Sequence, residues 1–159
     1  MTTRTAETSP LVYARVAGGL LLLLVVLGPF SLIYIPSTLI VPGDATGTAD
    51  NIGASEWLFR IGIISDSLIF LIEIVVTVLL YVLLRPVSRT LSLVAAFARL
   101  AMAIIQGINL LPYFIALLLL SGAGYLTAFQ PDQLDALVLL FLNAHQYGVY
   151  IWQMFFGFH

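Results

Sequence analysis

The chain contains no cysteine and no lysine, and charged residues of every kind make up only 9% of it. The first absence removes disulfides, thiol nucleophiles and thiolate metal sites. The second leaves arginine to supply all six basic residues against eight acidic ones, too few to neutralise a phosphate backbone, so nucleic acid is not an expected partner. There is also no H-E-x-x-H, no glycine-rich phosphate loop and no paired metal-ligand motif, so neither a metal nor a cofactor is expected and an enzyme is disfavoured. What the chain has instead is oil. Of its 159 residues, 61% are hydrophobic, and the mean hydropathy is +1.08. Soluble domains are about half apolar and about a quarter charged. The composition is that of an integral membrane protein, and its first partner is the lipid bilayer.

At about 20 apolar residues per crossing, the chain has material for four spans, and the expected fold is an all-α polytopic membrane bundle. The spans are placed at about 16–35, 57–84, 91–120 and 134–158, in a single transmembrane domain over residues 1–159. The first contains the run Leu20 to Leu27. Arg4 and Arg15 precede it as they would in a signal peptide, but no small-x-small site follows directly and Ile33-Tyr34-Ile35 extends the apolar run, so it reads as an uncleaved span. Ile35 to Ser55, with Pro36, Pro42, Gly43, Gly47 and Gly53, reads as loop, and Arg85 to Thr90 as a tight turn. Pro29 and Pro112 are expected to kink their helices.

Arg4, Arg15, Arg85 and Arg89 fall on one side, whereas Asp44, Asp50, Glu56, Asp132 and Asp135 fall on the other with Arg60 as their one basic neighbour. Cytoplasmic flanks retain arginine, so the amino terminus is placed in the cytoplasm and the protein in the inner membrane. Tyr34, Trp57, Tyr125 and Phe129 are assigned to the outer interface, and Tyr81, Trp152 and Phe155 to the inner one. The last span closes on Phe155 to His159 without a basic anchor, which suggests that further spans follow.

Four stretches carry a resemblance: Leu39 to Ala45, Glu56 to Arg60, Leu83 to Leu91, and His145-Gln146-Tyr147-Gly148 leading to Phe155-Phe156-Gly157-Phe158-His159. Together they resemble an uncharacterised bacterial membrane family, the domain of unknown function 4386. The resemblance extends over nearly the whole chain and implies about six spans, in line with further spans beyond these four. It implies no activity for any residue.

A charge near the bilayer centre costs about 2.5–3.5 kcal/mol on insertion scales, so each one needs a partner or a wet cavity. Asp66 and Glu73, seven residues apart, share one face of the second span, with Ser65 nearby. Arg99 is the one basic residue deep within a span. With a short turn at Arg85 to Arg89, the second and third spans form an antiparallel hairpin, and distance from the turn measures depth. Glu73 and Arg99 then lie within about three residues of the same level, roughly 4.5 Å, and an ion pair is expected. Asp66 comes level with Asn109, with Gln106 about one turn further in. The fourth span returns Asn143 and His145 to the depth of Asn109. The candidate intramembrane polar cluster is therefore Asp66, Glu73, Arg99, Gln106, Asn109, Asn143 and His145. Asn143, Tyr147, Tyr150 and Gln153 recur at helical spacing as a polar stripe expected to face protein. Arg60, one turn beyond Glu56, is expected to pair with it at the outer interface.

The favoured reading is a membrane protein of unknown role without catalysis, its polar layer mainly structural. A proton- or ion-coupled transporter using Asp66 and Glu73 is the first alternative. A membrane enzyme or haem protein using His145 is the second: His145 and His159 lie 14 residues apart and project from nearly one helical face, but each haem would need a second ligand from elsewhere. Ser65 and Ser67 flank Asp66 but point to different faces, which argues against a nucleophile and base pair. A second copy of the chain remains open as a partner, and no small-molecule or ion ligand is named.

Overall fold

The computed structural model describes residues 9–157, in which every regular element is helical. Arg4, Phe158 and His159, with the readings attached to them, lie outside the described residues. Four helical stretches are long and apolar enough to cross a bilayer: Pro10–Leu39, Glu56–Leu84, Arg89–Leu119 and Pro131–Phe156. The protein is an all-α polytopic membrane bundle.

The first crossing is not one regular helix. Helix α1 (Pro10–Pro29) gives way to a π-helical turn (Phe30–Tyr34), and α2 (Ile35–Leu39) completes the span. Pro29 and Pro36 flank that turn, and neither has an N–H for the preceding turn of helix, so the ladder widens between them. The segment read as a loop from Ile35 to Ser55 is largely helical. Pro36 sits in the first turn of α2, directly after the π-helical turn, and α3 (Ala45–Ala54) follows. Asp44 caps α3 by accepting a hydrogen bond from the Gly47 amide at 2.9 Å, and Thr48 ties the helix back to Val41. Gly43, at φ +79°, makes the reversal between them.

Helix α4 (Glu56–Leu84) and α5 (Arg89–Ile108) form the expected hairpin across the Arg85 to Ser88 turn. The third crossing breaks: α5 stops at Ile108, and α6 (Leu111–Leu119) starts with Pro112 in its first turn. After a short 3-10 turn at Gly124–Ala128, α7 (Pro131–Phe156) returns through the bundle, its start held by a reciprocal capping box between Gln130 and Gln133.

Helix α4 packs between α1 and α5, α7 packs on α5 and α6, and α3 lies across α7. The apolar core sits at the α3 end. Ile35 and Leu39 from α2, Ile52 from α3, Phe59 and Ile63 from α4, Tyr113 and Ala116 from α6, and Val138 and Leu142 from α7 fill it. Gly62 lets α2 approach α4, since a methyl there would lie 3.1 Å from the Ile35 side chain. This plug separates one end of the bundle from the polar layer below.

Candidate functional site

The polar residues of the spans gather at two levels along α4, one turned by Asp66 and one by Glu73, both buried on its inner face.

At the deeper level Arg99 of α5 donates to the Glu73 carboxylate, and both side chains are almost completely shielded. The pair lies 26 residues apart in sequence and joins the two arms of the hairpin. Thr77 returns its hydroxyl to the Glu73 carbonyl at 2.7 Å. The Nε of Arg99 has no hydrogen-bond partner, and beside it lies a cavity of about 60 Å3 lined by Thr77, Tyr81, Ser92, Ala95 and Arg99 among others.

At the upper level Asp66 is 1% exposed and draws on three crossings. Ser31, in the π-helical turn of the first, donates to Oδ1 at 2.9 Å. Gln106 of α5 donates to the same oxygen at 3.4 Å. His145 of α7 places Nε2 3.9 Å from Oδ2.

The ring of His145 is fixed from two directions. Its Nδ1 lies 2.7 Å from the backbone carbonyl of Asn109, while the Asn109 side-chain amide donates to the His145 carbonyl at 2.9 Å. Asn109 can do both because the third crossing breaks there. Pro112 brings no N–H, and the amides of Tyr113 and Phe114 both turn to Leu110, leaving the Asn109 carbonyl to the imidazole. Tyr113 stacks on the imidazole with ring centroids 3.7 Å apart and planes at 17°, and meets Phe59 edge-on at 5.2 Å.

A cavity of about 10 Å3 lies at the centre of this cluster, lined by Leu32, Asp66, Gln106, Asn109, His145, Val149 and Trp152. Three buried atoms around it have no hydrogen-bond partner: Gln106 Oε1, His145 Nε2 and Trp152 Nε1. The space is about that of one water molecule.

Six of the seven candidate residues are thus brought together in two groups, Glu73 with Arg99, and Asp66 with Gln106, Asn109 and His145. Asn143 is not among them. It lies on the exposed side of α7, as do Tyr147, Tyr150 and Gln153, so the polar stripe faces away from the described bundle. The reason is angular: His145 takes the inner face of α7, and Asn143, two residues earlier, is carried about 200° round the helix. Trp152, assigned to the membrane interface, instead lines the cavity, and its indole N–H is buried without a partner. Glu56 and Arg60 pair at the exposed end of α4, with Nε to Oε1 at 2.7 Å.

Four participants have no forerunner among the candidates. Ser31 and Tyr113 reach the cluster through the two irregular stretches of backbone, and Trp152 through its position two turns beyond His145. Gly148 is the fourth, and leaves room for Asn109: a Cβ there would lie 1.9 Å from Asn109 Oδ1. The prolines at 29, 36 and 112 are the signal that could have pointed to the first two, since each marks a place where a helix ladder loses a donor.

No curated protein and no solved structure matches the chain. A family model does: the one described as Domain of unknown function (DUF4386) covers residues 16–159. With nearly the whole length matched, and four apolar crossings to go with it, the chain belongs to the DUF4386 family.

Proposed function

We propose that this integral membrane protein has no catalytic role and that its buried polar layer is mainly structural, holding four crossings in register within one transmembrane domain. The carrying observation is that the buried charged side chains of the spans meet partners on neighbouring helices rather than lipid. Arg99 occupies Glu73, and Ser31, Gln106 and His145 surround Asp66 around a space no larger than a water molecule. Interhelical bonds of this kind substitute for the hydrophobic force that lipid cannot supply between helices.

We place the protein in a bacterial inner membrane, with the amino terminus in the cytoplasm on the strength of Arg15, Arg85 and Arg89 at one end of the crossings against Arg60 alone at the other. The lipid bilayer is its partner, and the scarcity of basic residues argues against nucleic acid. The carrier reading loses Glu73, whose carboxylate is engaged by Arg99. A haem on His145 would need open space before Nε2, where Asp66 stands.

The test is a double-mutant cycle on the hairpin pair. Glu73→Gln and Arg99→Leu are each expected to lower the thermal midpoint, because each strands one buried polar partner at a cost of about 3–5 kcal/mol. Together they are expected to cost less than the sum of the two by about 1–3 kcal/mol. Singles that leave the midpoint unmoved, or a double variant that loses the full sum, would overturn the structural role.

A further inference from the structure

We propose that Asp66 and His145 form a binding site for one exchangeable proton, bridged by one internal water molecule. The Asn109 carbonyl faces His145 Nδ1. A carbonyl only accepts, so at 2.7 Å the His145 Nδ1 carries a hydrogen and donates it. That fixes the tautomer: a neutral His145 presents a bare Nε2 lone pair on its other side. What stands there, 3.9 Å away, is Oδ2 of Asp66, which as a carboxylate also only accepts. The Gln106 amide is likewise oriented by its bond to Asp66 Oδ1, which commits Nε2 as donor and turns Oε1, an acceptor, toward no partner.

Around the water-sized cavity the inventory is therefore three acceptors, Asp66 Oδ2, His145 Nε2 and Gln106 Oε1, and one donor, Trp152 Nε1. One water accepts from the indole and supplies two hydrogens. A third acceptor is left over, and one proton completes the set. On binding, a single O–H or N–H bond forms at Asp66 or His145 and the proton's carrier water is released. The pair is neutral with the proton and carries one negative charge without it.

The surroundings hold no substitute for that proton. Among the described residues, the first crossing contributes Ser31, α6 contributes Tyr113 stacked on the imidazole, and α5 contributes Gln106. The nearest cation on α5, Arg99, is engaged by Glu73 two turns along α4. The inference goes beyond the structural reading and does not rest on it, since it leaves the Glu73–Arg99 pair out of account.

The experiment is 15N NMR of the full chain, labelled at histidine and tryptophan and held in lipid nanodiscs. The chain has two histidines, so a His159→Gln variant leaves His145 alone in the imidazole spectrum. We expect Nδ1 to stay protonated across the accessible pH range while Nε2 passes through a single step. Asp66→Asn is expected to move that midpoint by about one pH unit or more, the coupling of two sites sharing a proton. A neutral state with Nε2 protonated and Nδ1 bare, or an Asp66→Asn midpoint that does not move, would overturn the proton site. The tautomer is read on the unsubstituted pair, so the test survives a variant that fails to fold. Magnetisation transfer from water to the Trp152 indole N–H is expected, and its absence would remove the water.

Discussion

Gly148 is the position where a single methyl group tests the geometry of the layer most directly. Its Cα faces the Asn109 side chain so closely that an added Cβ would lie 1.9 Å from Oδ1, 2.3 Å from Cγ and 2.7 Å from Nδ2. Ordinary contact starts at 3.4 Å, so all three atoms have to move. They are not free to do so cheaply, because Nδ2 is bonded to the His145 carbonyl at 2.9 Å and the same residue's own carbonyl holds the imidazole. Gly148→Ala therefore breaks the hydrogen bond from the Asn109 side-chain amide to the His145 carbonyl and separates α7 from the α5–α6 junction. A buried hydrogen bond lost with its partners left unsatisfied costs about 1–3 kcal/mol. With the strain of overpacking, the total is about 2–4 kcal/mol. For a chain of this size that is a fall of roughly 5–15 °C in thermal midpoint, measured by unfolding in detergent micelles. The decisive arm is the combination with Asn109→Ala. Removing the amide removes the clash, so the double variant should be more stable than Gly148→Ala alone by about 1 kcal/mol or more, even though Asn109→Ala by itself destabilises. A Gly148→Ala protein with an unchanged midpoint, or a double variant less stable than either single, would refute this packing.

Three further substitutions probe the first crossing and the cap of α3. Ser31→Ala removes the 2.9 Å donor from Asp66 and is expected to cost about 1.5–3 kcal/mol, whereas Ser37→Ala, an exposed hydroxyl bonded to the Tyr34 carbonyl, should stay within about 0.5 kcal/mol in the same thermal assay. Asp44→Ala strips the cap from α3 and should cost about 1 kcal/mol, seen as faster amide hydrogen exchange over Ala45–Ala54 with the spans unaffected.

The parts of this architecture that were legible in sequence are those governed by length and charge. Apolar runs interrupted by turn residues locate four crossings because a bilayer has one thickness. Counting from the Arg85 turn puts Glu73 beside Arg99 because two antiparallel helices of equal rise share a depth scale. That ruler weakens with each irregularity. It brings Asp66 level with Asn109, but the bonds to Asp66 come from Gln106 and Ser31, and the second of these belongs to a crossing the ruler never touches. The helical content of 36–54 was hidden by its prolines and glycines. Pro36 reads as a breaker until its position in the first turn of a helix is known, and Gly47 reads as a turn until Asp44 is seen to cap through its amide. Asn143 went astray because depth says nothing about azimuth: two residues on one helix can share a level and face opposite ways.

The two places where the backbone departs from regular helix, the π-helical turn at Phe30–Tyr34 and the break at Asn109–Leu110, both deliver groups to the same carboxylate and imidazole pair. In hydrocarbon a freed carbonyl or a misplaced donor has no water to turn to, so irregular backbone persists only where protein or a wet cavity satisfies it. The break frees the Asn109 carbonyl, His145 takes it, and the Nε2 lone pair is thereby turned toward Asp66. The widened turn of the first crossing brings Ser31 inward, and its hydroxyl goes to the same Asp66. A regular first crossing would leave Asp66 without the Ser31 donor, and a regular third crossing would leave His145 without the carbonyl that fixes its tautomer. The prolines are therefore not incidental kinks. They set which backbone atoms are available to the acid and the imidazole, and the apolar plug of Ile52, Phe59, Tyr113 and Leu142 above them keeps bulk water from competing for those atoms from that end.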